Sequence, residues 1–228
     1  MKDWVKMPSF LLKDKDNLIL PEMKWIGDCK SDYIAALIIY IILIHESQEK
    51  EESIGSCSIT YDKIQTISGL SRKKISGGIK ALISKELINK DSKNKCNKYT
   101  ISGFENMDKR GWAKLPAKKL YSKGKITAFH EFKLRVKHEL NALKIYLLIA
   151  TFRINETNYA KINYDTIHTY TGINRNDIKP ALSFLVTLEL IHVDEEVRED
   201  IGRYNIYRLK HLETYHHRGT KKMTSIPI

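Results

Sequence analysis

Residues 59–88 read ITYDKIQTISGLSRKKISGGIKALISKELI, and residues 162–191 read INYDTIHTYTGINRNDIKPALSFLVTLELI. The two stretches align without a gap at a constant offset of 103, and 12 of their 30 positions are identical. Self-similarity over this length indicates a structural unit that occurs twice. We call the two units copy one and copy two.

Each unit predicts two helices joined by a tight turn. In copy one Tyr61-Asp62 opens a short amphipathic helix, Gly69 makes the turn, and Ser71 caps the second helix; Asn174 is expected to cap its counterpart in copy two. This helix-turn-helix pattern is typical of a DNA reader. Apolar residues at helical spacing predict the buried face of each second helix: Ile75, Ile79, Leu82 and Ile83 in copy one, and Ile178, Leu182, Leu185 and Val186 in copy two.

The duplication continues upstream with offsets that change only in the loops. Residues 36–40 (ALIIY) match residues 142–146 (ALKIY) at an offset of 106, so the loop before the helix-turn-helix is three residues longer in copy one. Residues 4–8 (WVKMP) match residues 112–116 (WAKLP) at an offset of 108. Loops tolerate insertion better than the elements they connect, so these shifts are what a duplicated fold predicts.

Downstream, Tyr99-x-Ile101 matches Tyr204-x-Ile206 at an offset of 105, which predicts a hairpin two residues longer in copy two. The predicted class is α+β, mainly α with small β wings, arranged as two tandem winged-helix domains. We assign domain 1 to residues 1–103, a basic connector and domain 2 to residues 104–212, and a basic tail to residues 213–228.

Composition favours a soluble protein of the cytoplasm. The three cysteines form no CxxC pair and leave an odd thiol, which favours a reducing compartment. The longest apolar run, Tyr33 to Ile44, is about 12 residues, whereas a membrane span needs about 20. We therefore expect no membrane partner.

Charge separates the two copies. The chain carries a net charge of +12, and half of this excess lies in residues 104–140, which hold 10 basic and 4 acidic residues. Residues 71–98 hold nine basic and two acidic residues, whereas the corresponding residues 174–203 hold four and seven. Phosphate attracts the first surface and repels the second, so the copies are expected to differ in function.

In copy one, the second helix and the wing are the predicted DNA-binding surface. A helix in the major groove meets base edges and phosphates with its first turns, and a basic wing suits flanking phosphate or the minor groove. Gly77 and Gly78 would also let the backbone approach DNA closely. The alternative is a solvated lysine-rich face. The candidate residues are Ser71, Arg72, Lys73, Lys74, Ser76, Lys80, Lys93, Lys95 and Lys98.

In copy two, the second helix offers Asn174, Arg175, Asn176 and Lys179 as candidate DNA contacts. Asp177 would repel phosphate, and Pro180 removes a helical hydrogen-bond donor. Two interpretations stay open: a weaker or purely base-reading contact, and a surface for a homodimer or a protein partner.

Three further features have two interpretations each. The connector lysines either follow the DNA backbone between the modules or keep an exposed segment in solution. Trp4 and Trp112 either stack on single-stranded bases or, as we favour, anchor the segments that precede the long helix of each copy, which we call the lead-in segments. The basic tail either lies on DNA or is a disordered end.

Enzyme signatures are missing from the sequence. It contains no GxxxxGK[ST], GxGxxG or HExxH motif and no plausible nucleophile arrangement. The neighbouring His216 and His217 have no spaced partner for a metal. We expect no catalysis, no cofactor and no metal.

The motif from Tyr61-Asp62 through Gly69-Leu70-Ser71-Arg72 to Leu87-Ile88 resembles the winged helix-turn-helix domains of bacterial regulators and of plasmid or phage replication proteins. Two such domains in 228 residues resemble the plasmid replication initiators that bind repeated origin sites. The resemblance implies a sequence-specific double-stranded DNA-binding protein, acting in transcription regulation or DNA replication of a mobile element. Winged helices also serve as protein-interaction scaffolds in replisome loading or chromosome organisation, which is the alternative function.

Overall fold

The structure is a computed structural model that describes residues 2–15, 18–28, 30–48, 55–91, 97–154, 156–198 and 202–212. The tail, 213–228, lies outside them. Copy one runs from a lead-in strand through a long helix and two shorter helices to a hairpin. Its elements are β1 (Trp4–Pro8), α1 (Phe10–Lys13), a 3-10 turn (Leu20–Glu22), α2 (Lys30–Glu46), β2 (Ser56–Ser58), α3 (Tyr61–Ser68), α4 (Arg72–Ser84), β3 (Ile88–Asp91) and β4 (Lys98–Ile101).

Copy two repeats this order of lead-in strand, long helix, two shorter helices and hairpin. Helices and small antiparallel sheets make the fold mixed α and β, as the α+β class predicts. Its elements are α5 (Met107–Arg110), β5 (Trp112–Pro116), α6 (Lys137–Phe152), α7 (Tyr164–Thr171), α8 (Arg175–Thr187), β6 (Ile191–Arg198) and β7 (Gly202–Leu209), with 3-10 turns at Phe104–Asn106, Lys118–Leu120 and Thr127–Phe129.

The helix-turn-helix of each copy forms where the sequence predicts it. Gly69 and Gly172 end the first helix with φ of 72° and 67°, a conformation that glycine adopts without steric cost. Ser71 caps α4 by accepting from the Lys74 amide. Asn174 occupies the predicted N-cap position of α8, but its side chain makes no capping bond; the amide of Asp177 donates instead to the Asn174 main-chain carbonyl at 2.8 Å.

Helix α2 packs closely against α4 through a pair of glycines. A Cβ added to Gly78 would lie 2.9 Å from the Ala36 amide nitrogen, and one added to Gly77 would lie 2.4 Å from Oδ2 of Asp32. Real Cβ atoms do not approach so closely. The two glycines therefore serve helix packing, and the expectation that they bring the backbone close to DNA is wrong.

The hairpins give a different alignment of the two copies from the one predicted. Strands β2, β4 and β3 form an antiparallel sheet in that order, in which Cys57 pairs with Tyr99. In copy two the equivalent residue Ala160 bridges Tyr207, and both tyrosines are fully buried. Tyr99 thus corresponds to Tyr207, not Tyr204.

This correction makes the hairpin of copy two five residues longer than that of copy one, because Ile88 pairs with Ile101 whereas Ile191 pairs with Leu209. The Tyr-x-Ile match misled because an alternating strand offers similar short motifs in several registers. The register is fixed by the residue that is buried opposite β2.

The two lead-in strands pair with each other. Strands β1 and β5 are antiparallel, with Lys6 opposite Lys114 at the centre of the register. The rings of Trp4 and Trp112 stack at 5.8 Å between centroids, with 3° between their planes. The Nζ atom of Lys6 lies 4.8 Å from the Trp112 centroid, and that of Lys114 lies 4.8 Å from the Trp4 centroid. The tryptophans therefore anchor the lead-in segments, and they do so by joining the segment of one copy to that of the other.

Each lead-in segment also packs on the helices of the other copy. His45 of α2 contacts the Tyr121 hydroxyl at 2.8 Å and the Pro116 carbonyl at 2.9 Å. The Ile126 amide donates to the Ile67 carbonyl at 2.9 Å. The buried apolar residues of both copies form one continuous cluster. The boundary at residue 103 therefore divides the sequence but not the core.

The basic connector is folded onto this core. Besides β5 it contains α5 and the turns that hold the buried side chains of Leu120 and Phe129. The Arg110 guanidinium lies 4.1 Å from the Phe10 ring centroid and 3.7 Å from Oδ2 of Asp14. These contacts tie the connector to the lead-in segment of copy one.

We predict that Trp4 and Trp112 are energetically coupled. Because the rings stack, Trp4→Ala and Trp112→Ala should each remove the same contact, and the double variant should lose about 0.5–1.5 kcal/mol less than the sum of the single losses. Chemical denaturation measures the three free energies. Trp25→Ala is the control and should add to Trp4→Ala. Additive losses for Trp4 and Trp112 would contradict the stacking.

We predict a loss of stability in acid that arises from His45. Burial lowers the pKa of His45 from 6.5 to about 3, so below about 6.5 the unfolded chain binds a proton that the folded chain does not. Stability from this group is complete above pH 6.5 and falls with pH, by up to about 2 kcal/mol between pH 7 and 5.

Denaturation of His45→Gln at both pH values should show a smaller acid loss than the natural protein, since glutamine does not titrate. The exposed His130 provides the control. His130→Gln should retain the full acid loss. Equal acid losses in the natural protein and in His45→Gln would show that His45 is not kept neutral by the fold.

Candidate nucleic-acid interface

The first turns of α4 present cationic side chains to solvent. Arg72, Lys73 and Lys80 are exposed, whereas Ile75, Ile79 and Leu82 on the opposite side are buried. This division follows from the helical period, which places residues three and four apart on one face. Within the described part of the chain, Lys73 and Lys80 have no ion-pair partner. The predicted exposure is confirmed for Arg72, Lys73 and Lys80.

Arg72 is held at the start of α4 by the helix before it. Its guanidinium lies 3.0 Å from Oδ1 of Asp62, in the first turn of α3. Arg175 and Asp165 form the corresponding pair in copy two, with Nε of Arg175 donating to Oδ1 at 2.8 Å. All four side chains are mostly exposed, so each pair contributes little stability. The identical Asp and Arg of the repeat thus form one contact in both copies.

Lys74 is turned inward. Its Nζ atom donates to Oδ1 of Asp32 at 2.8 Å and to the Ser31 hydroxyl at 2.6 Å, which fastens α4 to the start of α2. Ser76, which lies two residues further along α4 and so faces a different side, is half-buried. Lys74 is therefore already used by the fold, as is the Ser71 hydroxyl that caps α4.

The hairpin of copy one continues the basic surface. Lys98 begins β4 and is exposed, whereas the predicted Lys93 and Lys95 lie outside the described residues. Lys90 of β3, which is not among the predicted residues, lies with its Nζ atom 5.7 Å from the Tyr61 ring centroid. Its place within the basic stretch of residues 71–98, at the start of the predicted hairpin, was the sequence signal that could have indicated it.

Copy two presents a more acidic surface. Asn174, Arg175, Asn176 and Lys179 are all exposed, as predicted for side chains that could reach DNA. Asp177 forms an ion pair with Lys137 at 2.6 Å, so part of its charge is balanced. The acidic strand β6 carries Asp194, Glu195 and Glu196, and the Asp194 carboxylate contacts His192 at 2.8 Å and pairs with Arg208.

Two residues predicted to be buried are exposed. Ile83 is 40% exposed, and Val186, at the equivalent position of copy two, is 44% exposed. Each directly follows a buried leucine, and a step of about 100° around the helix carries it to the edge of the apolar stripe. The positions Ile75, Gly78, Ile79 and Leu82 define the buried face of α4.

Comparison with known proteins found no matching family model, curated protein or solved structure. In the part of the chain that the structure describes, no helix is long and apolar enough to cross a membrane. Within the same residues, no cluster of three or more His, Cys, Asp or Glu side chains is placed to hold a metal ion.

We predict that base preference depends on Arg72 but not on its ion-pair partner Asp62. Arg72→Ala removes a guanidinium that can pair with guanine O6 and N7, so it should relax preference at one base position by about 1–3 kcal/mol. Asp62→Asn breaks the same ion pair but leaves the guanidinium free, so it should keep that preference. Binding-site selection followed by titration measures both. An unchanged consensus for Arg72→Ala would show that Arg72 does not read a base.

Proposed function

We propose that the chain is a sequence-specific double-stranded DNA-binding protein built from two tandem winged-helix modules, and that it regulates transcription or initiates replication of a mobile element. The observation that carries the proposal is the exposed cationic face of α4. That face begins at a capped, glycine-ended helix-turn-helix, the arrangement in which a second helix enters the major groove. The order of helices and hairpins in both copies supports the winged-helix assignment.

In this proposal Lys73 and Lys80 neutralise phosphates while Arg72 reads a base. The exposed Lys98 extends the contact along the hairpin toward flanking phosphate. Lys74 has a different role, because its half-buried ion pair with Asp32 positions α4 on α2. DNA contact is therefore assigned to the side chains that the fold leaves available.

Copy two is less suited to DNA binding than copy one. Its exposed Arg175 and Asn176 could still bond base edges, but the carboxylates of β6 would face phosphate with the same sign of charge. A protein partner or a second chain would meet no such repulsion. Exposed Val186 on α8 supplies an apolar side chain for such a contact.

The alternative function is a winged-helix scaffold that assembles other proteins on DNA. The acidic β6 favours it, since a basic partner would dock there. Salt dependence separates the two functions: direct DNA binding releases a counterion for each neutralised phosphate, whereas protein docking through one small surface gives a shallower dependence.

We predict that the salt dependence of DNA binding resides in α4 and the hairpin of copy one. With about five to seven phosphate contacts, log K should fall against log salt with a slope of roughly −4.5 to −6.3. Replacing Lys73 and Lys80 with alanine should reduce the steepness by about 1.8, since each contact contributes about 0.9. Fluorescence anisotropy on a duplex at several salt concentrations measures the slope.

The matched control removes two exposed lysines of the lead-in segment, Lys2 and Lys15. It makes the same change in net charge, so a general charge effect would alter both double variants alike. The proposal requires the control to keep the natural slope. If the Lys73/Lys80 variant kept it too, α4 would not be the DNA-binding helix.

A further inference from the structure

A cationic pocket lies where the lead-in segment of copy one meets the helix-turn-helix of copy two. Its volume is about 260 Å³. One wall is formed by Pro21 and residues 23–26, and the other by the first half of α6 and the turn between α7 and α8. At that turn a Cβ added to Gly172 would lie 2.9 Å from Cα of Pro21, so the two walls are in close contact.

Two polar side chains of α6 line this pocket although they are almost completely buried. Lys144 is 3% exposed, and its Nζ atom donates to the Thr171 carbonyl at 3.1 Å. Asn141, one turn earlier, is 4% exposed, and its Nδ2 atom has no hydrogen-bond partner in the described part of the chain. A buried donor without an acceptor costs free energy, and an ammonium group has three donors to satisfy.

Positive charge at the pocket is not balanced from within. Lys24 and Lys137 line it together with Lys144, and its lining includes no carboxylate. Burial, together with the nearby charges of Lys137 and Lys24, lowers the pKa of Lys144 to about 7. Asp177 pairs with Lys137 from outside the lining. An anion inside the pocket would meet three amines and one free amide donor.

We propose that this pocket binds a small free oxyanion, of the class of inorganic phosphate or a small phosphomonoester. A phosphate group offers several acceptor oxygens, which match the donors of the buried Lys144 and Asn141 and those of the exposed Lys24 and Lys137 in the lining. The volume lies just below the ~300 Å³ at which pockets for drug-sized ligands begin, and so suits a ligand of few atoms.

The depth of the site favours a free ion over the backbone of DNA. The donors of Lys144 and Asn141 lie on side chains that are at least 96% buried, and a duplex cannot follow a single phosphate into a cavity of this size. A bound oxyanion would connect residues 21–26 of copy one to the turn before α8. It would therefore stabilise the contact between the copies, which makes its binding measurable without DNA.

The test is thermal denaturation of the full chain with inorganic phosphate at constant ionic strength, adjusted with chloride. The melting temperature should rise saturably with phosphate, because a ligand that binds only the folded state stabilises it by mass action. Lys144→Met and Asn141→Leu fit a buried site and should weaken phosphate binding by roughly tenfold or more through the lost hydrogen bonds. The control is Lys123→Met, an exposed residue outside the lining, which should respond like the natural protein.

Each outcome decides the matter. A phosphate response lost in Lys144→Met and Asn141→Leu but kept in Lys123→Met supports the site. An equal response in all three variants, or no response of the natural protein at millimolar phosphate, overturns it. A Lys144→Met variant that binds a duplex less tightly, while phosphate leaves the natural melting temperature unchanged, would assign the pocket to DNA and overturn the proposal of a free ion.

Discussion

The antiparallel pairing of β1 with β5, closed by the stack of Trp4 on Trp112, is the contact that fixes the two copies in one body. Its register is symmetric about Lys6 and Lys114, and each lysine covers the tryptophan of the other strand. Both copies would otherwise leave a lead-in strand with unpaired main-chain groups, which proteins avoid because such edges bind other chains. The exchange of lead-in segments follows from this pairing and creates the contacts of His45 and the pocket at Lys144.

The repeat made much of the fold predictable. The alignment of the two copies located the helices. Gly69 and Gly172 located the turns, because glycine adopts the left-handed conformation at low energetic cost. The sequence could not reveal which partner each element packs against. Gly77 and Gly78 were therefore predicted to let the backbone approach DNA, whereas they allow α2 to pack closely on α4. Tyr204 was aligned with Tyr99 in place of Tyr207, because a short strand motif does not determine the strand register.

The candidate site was predictable to the extent that helical periodicity determines exposure. It placed Arg72, Lys73 and Lys80 on the outer face of α4, but it gave Lys74 the same role, because charge type alone does not show a carboxylate supplied by a distant helix. The pocket was not predictable either. The sequence around Lys144 does not show that this lysine is buried, because its burial depends on the lead-in segment of the other copy.

The two similar helix-turn-helix units differ in charge: α4 begins with an exposed cationic face, whereas the hairpin of copy two is acidic, and we propose that their roles differ accordingly. Site-directed photo-crosslinking tests this division most directly. A benzophenone side chain placed at Lys73 or Lys80 should crosslink to duplex DNA, and one at the exposed Lys15 should not. Equal crosslinking from Lys15, or crosslinking from Asn176 of α8 without any from Lys73 and Lys80, would contradict the assignment of DNA binding to copy one.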